Sequence, residues 1–371
     1  MAQQRNGSVP AMKQRRPTQI DVAKLAGVST AVVSKVLNPD SRGTVRVSDE
    51  TESRVLRAIA QLGYVPNPVA RNLAMGRTRL LGVFSFESIF PVAQRDFYFP
   101  FLLGIEQEAE AKGFDLLLFT SASRLGRPRS IFLDGVNRLQ MADGGILLGR
   151  QPPKHELAQL ASSGYPFICV GRREVPGTSV SYVAADYSGA TAEIISHLVE
   201  LGHRRIAYIG GPEADESAAD RESGYLTSMR NFGLEGQSSV LRTSEGALEV
   251  NIVAKLYDDQ VTAVLLETDD LARRFEELAR DQGIQLPDQL SFAVLGDPLN
   301  PATGDPDWTS FTIPREAMGR RSLATLLTLL DGTAQAPQRF VLPCTFEPGS
   351  STASPRVTTS HFERRNLSEQ R

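Results

Sequence analysis

Aromatic residues are scarce in this chain, 7% of 371 residues, and Trp308 is the single tryptophan. Cysteines number only two, Cys169 and Cys344, far apart and in no metal or redox spacing. Both read as buried thiols of a reducing cytoplasm, with a disulfide between them the lesser alternative. Histidine is equally thin. His155, His197 and His361 have no clustered acid or cysteine beside them, which argues against a metal site. No apolar run approaches the roughly 18 residues that would span a membrane. The basic, polar start from Met1 to Arg16 has no apolar stretch behind it, so it is not a secretory signal. These absences exclude membrane and disulfide-scaffold classes and leave a cytoplasmic globular protein.

What is present is a large apolar fraction, 41%, over a length that suits two or three domains. Charge is divided along the chain. Residues 1–79 hold 13 Lys+Arg against 5 Asp+Glu, a net of +8; the remainder holds 27 against 38, a net of −11. A basic head on an acidic body suits a polyanionic partner, although a merely solvated basic face explains the charge equally well.

Residues 1–16 read as a disordered basic arm of Gln, Arg, Gly, Ser and Pro with no periodic apolar pattern. Residues 17–64 carry helical patterns, 65–79 a linker with Pro66-Asn67-Pro68, a short helix-like segment and Gly76, 80–350 a large body, and 351–371 a polar, mobile tail. In the body, short apolar runs such as Leu81–Phe84, Asp115–Phe119, Gly145–Leu148, Phe167–Val170, Ile206–Ile209, Val264–Leu266 and Phe292–Leu295 alternate with amphipathic stretches such as Phe101–Lys112, Ser188–Leu201 and Leu271–Gly283. That alternation predicts buried parallel sheets of an α/β fold. About eleven such strands are too many for one sheet, so two similar doubly wound lobes are expected.

The head is read more finely. Thr18-Gln19-Ile20-Asp21 has the form of a capping box. A helix follows, with Val22, Ala23, Leu25 and Ala26 as apolar positions, and Gly27 permits a tight turn. Ser29 is placed to cap a second helix, Thr30 to Leu37, whose Val33, Val36 and Leu37 make one stripe; Asn38-Pro39-Asp40 stops it. Ser48 caps a third, with Asp49 and Glu50 favoured by the helix dipole. Val55, Ile59 and Leu62 close a three-helix core. Two helices across a short Gly turn fit the helix-turn-helix template. In that geometry Thr30, Ala31, Ser34 and Lys35 face base edges, the small side chains suiting thymine methyls and Lys35 reaching guanine. A helical bundle that binds protein is the competing reading.

The run from Thr18 to Asn38 and the run from Leu62 to Ala74 (Leu-Gly-Tyr-Val-Pro-Asn-Pro-Val-Ala-Arg-Asn-Leu-Ala) resemble the lactose/galactose repressor family. The likeness continues more loosely to about residue 348. It implies an all-α helix-turn-helix head with a hinge helix, joined to a periplasmic-binding-protein-like α/β body. It implies that Thr18, Ser29, Thr30, Ala31, Ser34, Lys35 and Asn38 meet DNA. It implies a hinge helix after Tyr64, where Asn67 caps, Pro68 begins and Gly76 ends the helix. There Ala70 allows close approach and Leu73 is a minor-groove wedge; an ordinary linker is the alternative. Glu52 departs from the family, which often has Arg there.

In the body the resemblance rests on Tyr98-Phe99, Ala142–Leu147, Leu201-Gly202-His203-Arg204-Arg205-Ile206-Ala207, Gly210-Gly211-Pro212 and Arg221 with Gly224-Tyr225. It implies a first lobe of about 80–184 and 308–335 and a second of about 185–307 and 336–350. Arg221 occupies the position that clamps ligand oxygens, a role suited to a guanidinium fork. Tyr98 and Phe99 either stack on a sugar or fill the core. Thr268-Asp269 stands where relatives often have Asn-Asp, and Gly296-Asp297 where they often have Asp-Asp. Thr268 and Asp297 therefore remain as candidate ligand residues of an altered site, Asp269 is assigned to structure, and the stretch Pro298–Trp308 is insertion-like. His203 is read as a turn landmark.

The expectation is a cytoplasmic, nucleoid-associated DNA-binding regulator, most simply a homodimeric repressor. Its partners are double-stranded operator DNA and a small effector, a sugar or related metabolite, and it needs no cofactor. An α/β enzyme with an accessory head is the alternative. No nucleophile elbow, phosphate loop or recognisable carboxylate pair supports it.

Overall fold

The computed structural model describes residues 17–37, 47–65, 78–87, 95–120, 129–212, 215–248, 251–297 and 307–355. The chain divides into two compact units, Met1–Thr78 and Arg79–Arg371.

The described part of the first unit is three helices: α1 (Gln19–Ala26), α2 (Thr30–Leu37) and α3 (Asp49–Leu62). Each boundary follows from local chemistry. Thr18 Oγ1 accepts from Asp21 N–H, and Asp21 Oδ2 accepts from Thr18 N–H at 2.8 Å, so the capping box is complete. Gly27 closes α1 in the left-handed region at φ 65°, which a side chain would resist. Ser29 Oγ accepts from Val32 N–H at 3.4 Å, and Ser48 Oγ from Thr51 N–H at 3.4 Å. Val22, Ala23, Ala26, Val33, Val55 and Ala58 form the core, flanked by Val36, Ile59, Leu62 and Tyr64. Leu25 departs from its expected inward place and is 46% exposed, because its neighbours Ala23 and Ala26 already occupy the buried stripe.

The second unit contains two parallel sheets. The first has strands β1 (Leu80–Ser85), β2 (Asp115–Phe119), β5 (Gly144–Leu148), β6 (Phe167–Val170), β7 (Tyr182–Ala185) and β13 (Arg339–Leu342), in the order β13-β7-β6-β5-β1-β2. The second has β8 (Ile206–Gly210), β9 (Ser238–Arg242), β10 (Ala263–Leu266) and β11 (Ser291–Val294), in the order β11-β10-β8-β9. Two small antiparallel pairs, β3 (Phe132–Leu133) with β4 (Val136–Asn137) and β12 (Ser310–Thr312) with β14 (Thr345–Glu347), complete the strands of the described residues.

Both faces are buried along the inner strands of each sheet, and the two-residue period of a strand sorts the side chains between them. Leu81, Val83, Ile146, Leu148, Ile168 and Val170 pack on one side of the first sheet, while Phe84, Leu147, Phe167 and Cys169 pack on the other. In the second sheet Ile206, Tyr208, Ala263 and Leu265 oppose Ala207, Ile209, Val264 and Leu266 in the same manner. The covering helices are α4 (Arg95–Lys112), α5 (Lys154–Ser162), α6 (Tyr187–Leu201), α7 (Glu216–Asn231), α8 (Asn251–Asp258), α9 (Asp269–Asp281) and α10 (Arg315–Leu330). Helices α4 and α10 cross closely: a Cβ on Gly104 would strike the Glu316 carbonyl, and one on Gly319 the Phe101 carbonyl.

The lobe boundaries differ from the expected ones. The resemblance places residues 336–350 in the second lobe, yet β13 pairs with β7 in the first sheet. It places residues 308–335 in the first, yet Trp308 lies in the second lobe's core with Phe275 and Phe292. The cause is that β12 has only three residues and that β13 and β14 are short and largely exposed, so their sequence carries little sign of which sheet they join. Nor does the body stop at 350. Ser351 is 6% exposed; its hydroxyl donates to Phe292 O at 2.7 Å and its carbonyl accepts from Phe292 N–H at 2.9 Å. His203 is more than a turn residue. It is buried, with its ring nitrogens 2.9 Å from Thr262 Oγ1 and 2.9 Å from Ala353 O. Burial pushes its pKa down to about 4.

Candidate functional site

In the head, the exposed surface of α2 begins with Thr30 and Ala31, preceded by the exposed Ser29; Ser34 and Lys35, one turn on, are half-buried. Thr18 is half-buried and engaged as the α1 cap. The helix is held from behind by Val33, which is fully buried, so the opposite edge stays available. Glu52, the departure from the family pattern, lies in the first turn of α3 with Asp49 and Glu50, where a helix dipole favours negative charge. Asn38, Asn67, Ala70 and Leu73 lie outside the described residues.

In the body, a cavity opens at the carboxyl ends of the strands, the usual ligand position in open α/β sheets. First-lobe residues Phe97, Tyr98, Phe101, Leu148, Gly149, Arg150, Val170, Gly171, Arg172, Arg173 and Met318 line it, together with Tyr187, Asp215, Ser217 and Asp220 of the second lobe. The expected aromatic pair is split. Tyr98 is 2% exposed and lines the cavity, whereas Phe99 is 60% exposed and does not. Consecutive helical residues diverge by about 100°, and both lie in α4, which runs back through Pro100 to Arg95 instead of starting at Phe101. The Tyr98 hydroxyl donates to Glu87, and burial together with that carboxylate raises its pKa well above the ordinary value.

Arg221 is 8% exposed and stands behind Tyr187, its guanidinium carbon 3.8 Å from the ring centroid. Its Nε donates to Leu295 O at 2.7 Å and Nη1 to Ser217 O at 3.1 Å. Gly296 is close: a Cβ there would lie 3.8 Å from Arg221 Nη2. Thr268 caps α9, its hydroxyl accepting from Leu271 N–H at 3.3 Å, and it borders the outer mouth of the cleft with Glu87, Arg150 and Glu267. Asp297 does not line the cavity. Its carboxylate is taken by Ile313 N–H at 3.1 Å and by Arg315, which is itself buried at the start of α10. This carboxylate ties the end of β11 to the first lobe.

Sequence reading did not identify the ion pairs that cross the cleft. Arg150 meets Asp215 through Nε at 3.0 Å and Nη2 at 2.9 Å. Arg172 meets Asp220 through Nε at 2.9 Å and Nη2 at 2.8 Å, and also pairs with Glu174. Glu174 N–H donates to Glu216 Oε1 at 3.2 Å. Burial by itself would raise the Asp215 carboxyl. Hydrogen bonds from Ser217 and Ala218 and the Arg150 guanidinium outweigh it and hold the pKa below the ordinary range. Arginines one glycine past two predicted strands were the available signal, since such positions open onto the ligand side of the sheet.

With the head and cleft in view, similarity to known proteins decides the family. Residues 18–67 match "Bacterial regulatory proteins, lacI family", residues 87–260 match "Periplasmic binding proteins and sugar binding domain of LacI family", and residues 195–352 match a "Periplasmic binding protein-like domain". The HTH-type transcriptional regulator CelR of Thermobifida fusca is 32% identical over 337 residues, 89% of this chain and 96% of that protein. The chain belongs to the LacI family. The transcriptional repressor CytR of Escherichia coli K12 is 29% identical, over 85% of this chain and 90% of that protein. A solved structure described as a CelR–cellobiose complex is 29% identical, covers 91% of this chain and all of that one, and gives a TM-score of 0.59. This LacI-family member is thus a helix-turn-helix transcriptional regulator. No helix among its described residues is long and apolar enough to cross a membrane.

Proposed function

We propose that this regulator is a cytoplasmic, nucleoid-associated homodimeric repressor that binds a palindromic operator and releases or tightens it when a small metabolite enters the cleft between its lobes. The observation that carries the effector half is the placement of Arg221: buried, fixed by two main-chain oxygens and pressed against Tyr187 on the cavity wall. From behind that wall the guanidinium, held rigidly, places a fixed positive charge beside the cavity, which favours ligand oxygens. Bound effector favours one arrangement of the lobes, and operator affinity shifts by the difference in ligand affinity between arrangements. In the head, Thr30, Ala31, Ser34 and Lys35 read bases; Thr18, Ser29 and Asn38 meet the DNA beside them; Asn67, Ala70 and Leu73 belong to the hinge. The CelR relative bound to cellobiose makes sugars and sugar derivatives the first effectors to test.

Fluorescence anisotropy of a labelled operator fragment, titrated with protein and then with candidate effectors, tests both halves. Arg221→Ala keeps operator binding and abolishes the response; an unchanged response removes Arg221 from the site. Leu73→Ala weakens operator binding far more than binding to random DNA, and equal losses rule out the hinge role.

A further inference from the structure

The hydrogen-bonding groups of the cavity divide unevenly. Its carboxylates are already engaged. Asp215 Oδ1 accepts from Ser217 Oγ at 2.6 Å and Ala218 N–H at 2.9 Å, and Oδ2 from Arg150. Both Asp220 oxygens accept from Arg172. At the rim, Glu87 accepts from Tyr98 and from Arg150 N–H at 2.9 Å.

The cations are not balanced in the same way. Arg150 and Arg172 are committed to those acids. Arg173, which lines the cavity beside them, donates only to main-chain oxygens, those of Gly149, Val170 and Arg172. Among the described residues it has no carboxylate within ion-pair distance, and neither does Arg221 behind Tyr187. Carbonyl dipoles leave a partly desolvated guanidinium under-compensated. A neutral polyol brings as many donors as acceptors, and it leaves the positive charge of Arg173 uncompensated. An anionic oxygen group needs donors only, and Arg173, with three N–H groups given to main-chain oxygens, keeps others for it. Phe97, Phe101 and Met318 then offer an apolar surface to the rest of the molecule.

We propose that the effector is an anionic metabolite whose carboxylate or phosphate oxygens are received by Arg173 at the cleft, with Arg221 adding to the positive field. This rests on the cleft being the effector site. Arg173 selects for charge, and the aromatic wall selects for the remainder of the ligand.

The probe is inorganic phosphate, titrated into the full chain at constant ionic strength, with acetate as the carboxylate arm. Thermal midpoint and peptide-resolved hydrogen exchange are read together. A saturable rise in midpoint is expected with at least one anion, and the tighter one names the source. Slower exchange is expected in the segments around 149–173 and 215–221. Arg173→Gln is expected to raise the half-saturating concentration at least about tenfold, while Arg205→Gln, at an exposed site away from the cavity, leaves it unchanged. No saturable rise with either anion, equal affinity in Arg173→Gln, or protection confined to other segments overturns the proposal. If Arg173→Gln does not fold, the exchange pattern of the unaltered protein decides alone. Anion binding at the cleft without any change in operator affinity supports the anion site and contradicts the effector reading, so the two fail separately.

Discussion

Thr18 finds the partner that starts α1 three residues away, at Asp21; Arg150 finds Asp215 65 residues away. The head is a structure of neighbours. Its helix ends are set by Thr18, Gly27, Ser29, Ser48 and Gly63, and its core is mostly valine and alanine. The body is a structure of distant pairs, with tyrosine, phenylalanine and tryptophan packed on both faces of its sheets and a polar cleft held by ions from opposite lobes. A small domain built from local signals presents a fixed surface. A large one built from long-range pairs can hold two arrangements, and a sensor needs that freedom.

The sharpest way to separate the two units is to empty the body's core. Phe275 is fully buried beside Phe292 and Trp308, and Phe275→Ala is expected to cost about 3–5 kcal/mol. Trp308, the single tryptophan, reports that loss in denaturant titrations followed by fluorescence, while helix signal from the head persists. Simultaneous loss of both would mean the head depends on the body.

Acid provides a second separation, because residues 1–79 contain no histidine. His203 takes up a proton near its ordinary pKa of about 6.5 in the unfolded chain but only near 4 in the folded one. Protons therefore favour the unfolded body across that interval. Its stability is full above about pH 6.5 and falls, by roughly 3 kcal/mol, as pH drops toward 4. His203→Gln flattens this slope. An identical slope in the variant assigns the acid loss to other groups.

The smallest effect is expected in the head. Thr18→Ala removes the α1 cap and costs about 1 kcal/mol there. Hydrogen exchange in residues 19–26 speeds up, and the melting of the body stays where it was.

The same contrast explains what the amino-acid order revealed. Caps, turns and the helix-turn-helix frame were legible because each signal and its effect share one turn of chain. Apolar runs such as Ile206–Ile209 announced buried strands for the same reason. Pairings that depend on three-dimensional return did not show. Nothing local says that β13 joins the first sheet, that Phe99 turns outward while Tyr98 turns in, or that Asp297 is occupied by Arg315. Arg221 stands out in the sequence because it matches a family position. Nothing local says that the guanidinium of Arg173 rests on strand-end carbonyls while that of Arg172 beside it meets Asp220.

The most direct test of the account is to mix the purified full chain with fragments of its own genome at near-physiological salt and sequence what it retains. The expected result is a set of fragments sharing one palindromic site, with affinity falling steeply as salt rises. Retention without a shared sequence would contradict the central claim that this head reads an operator.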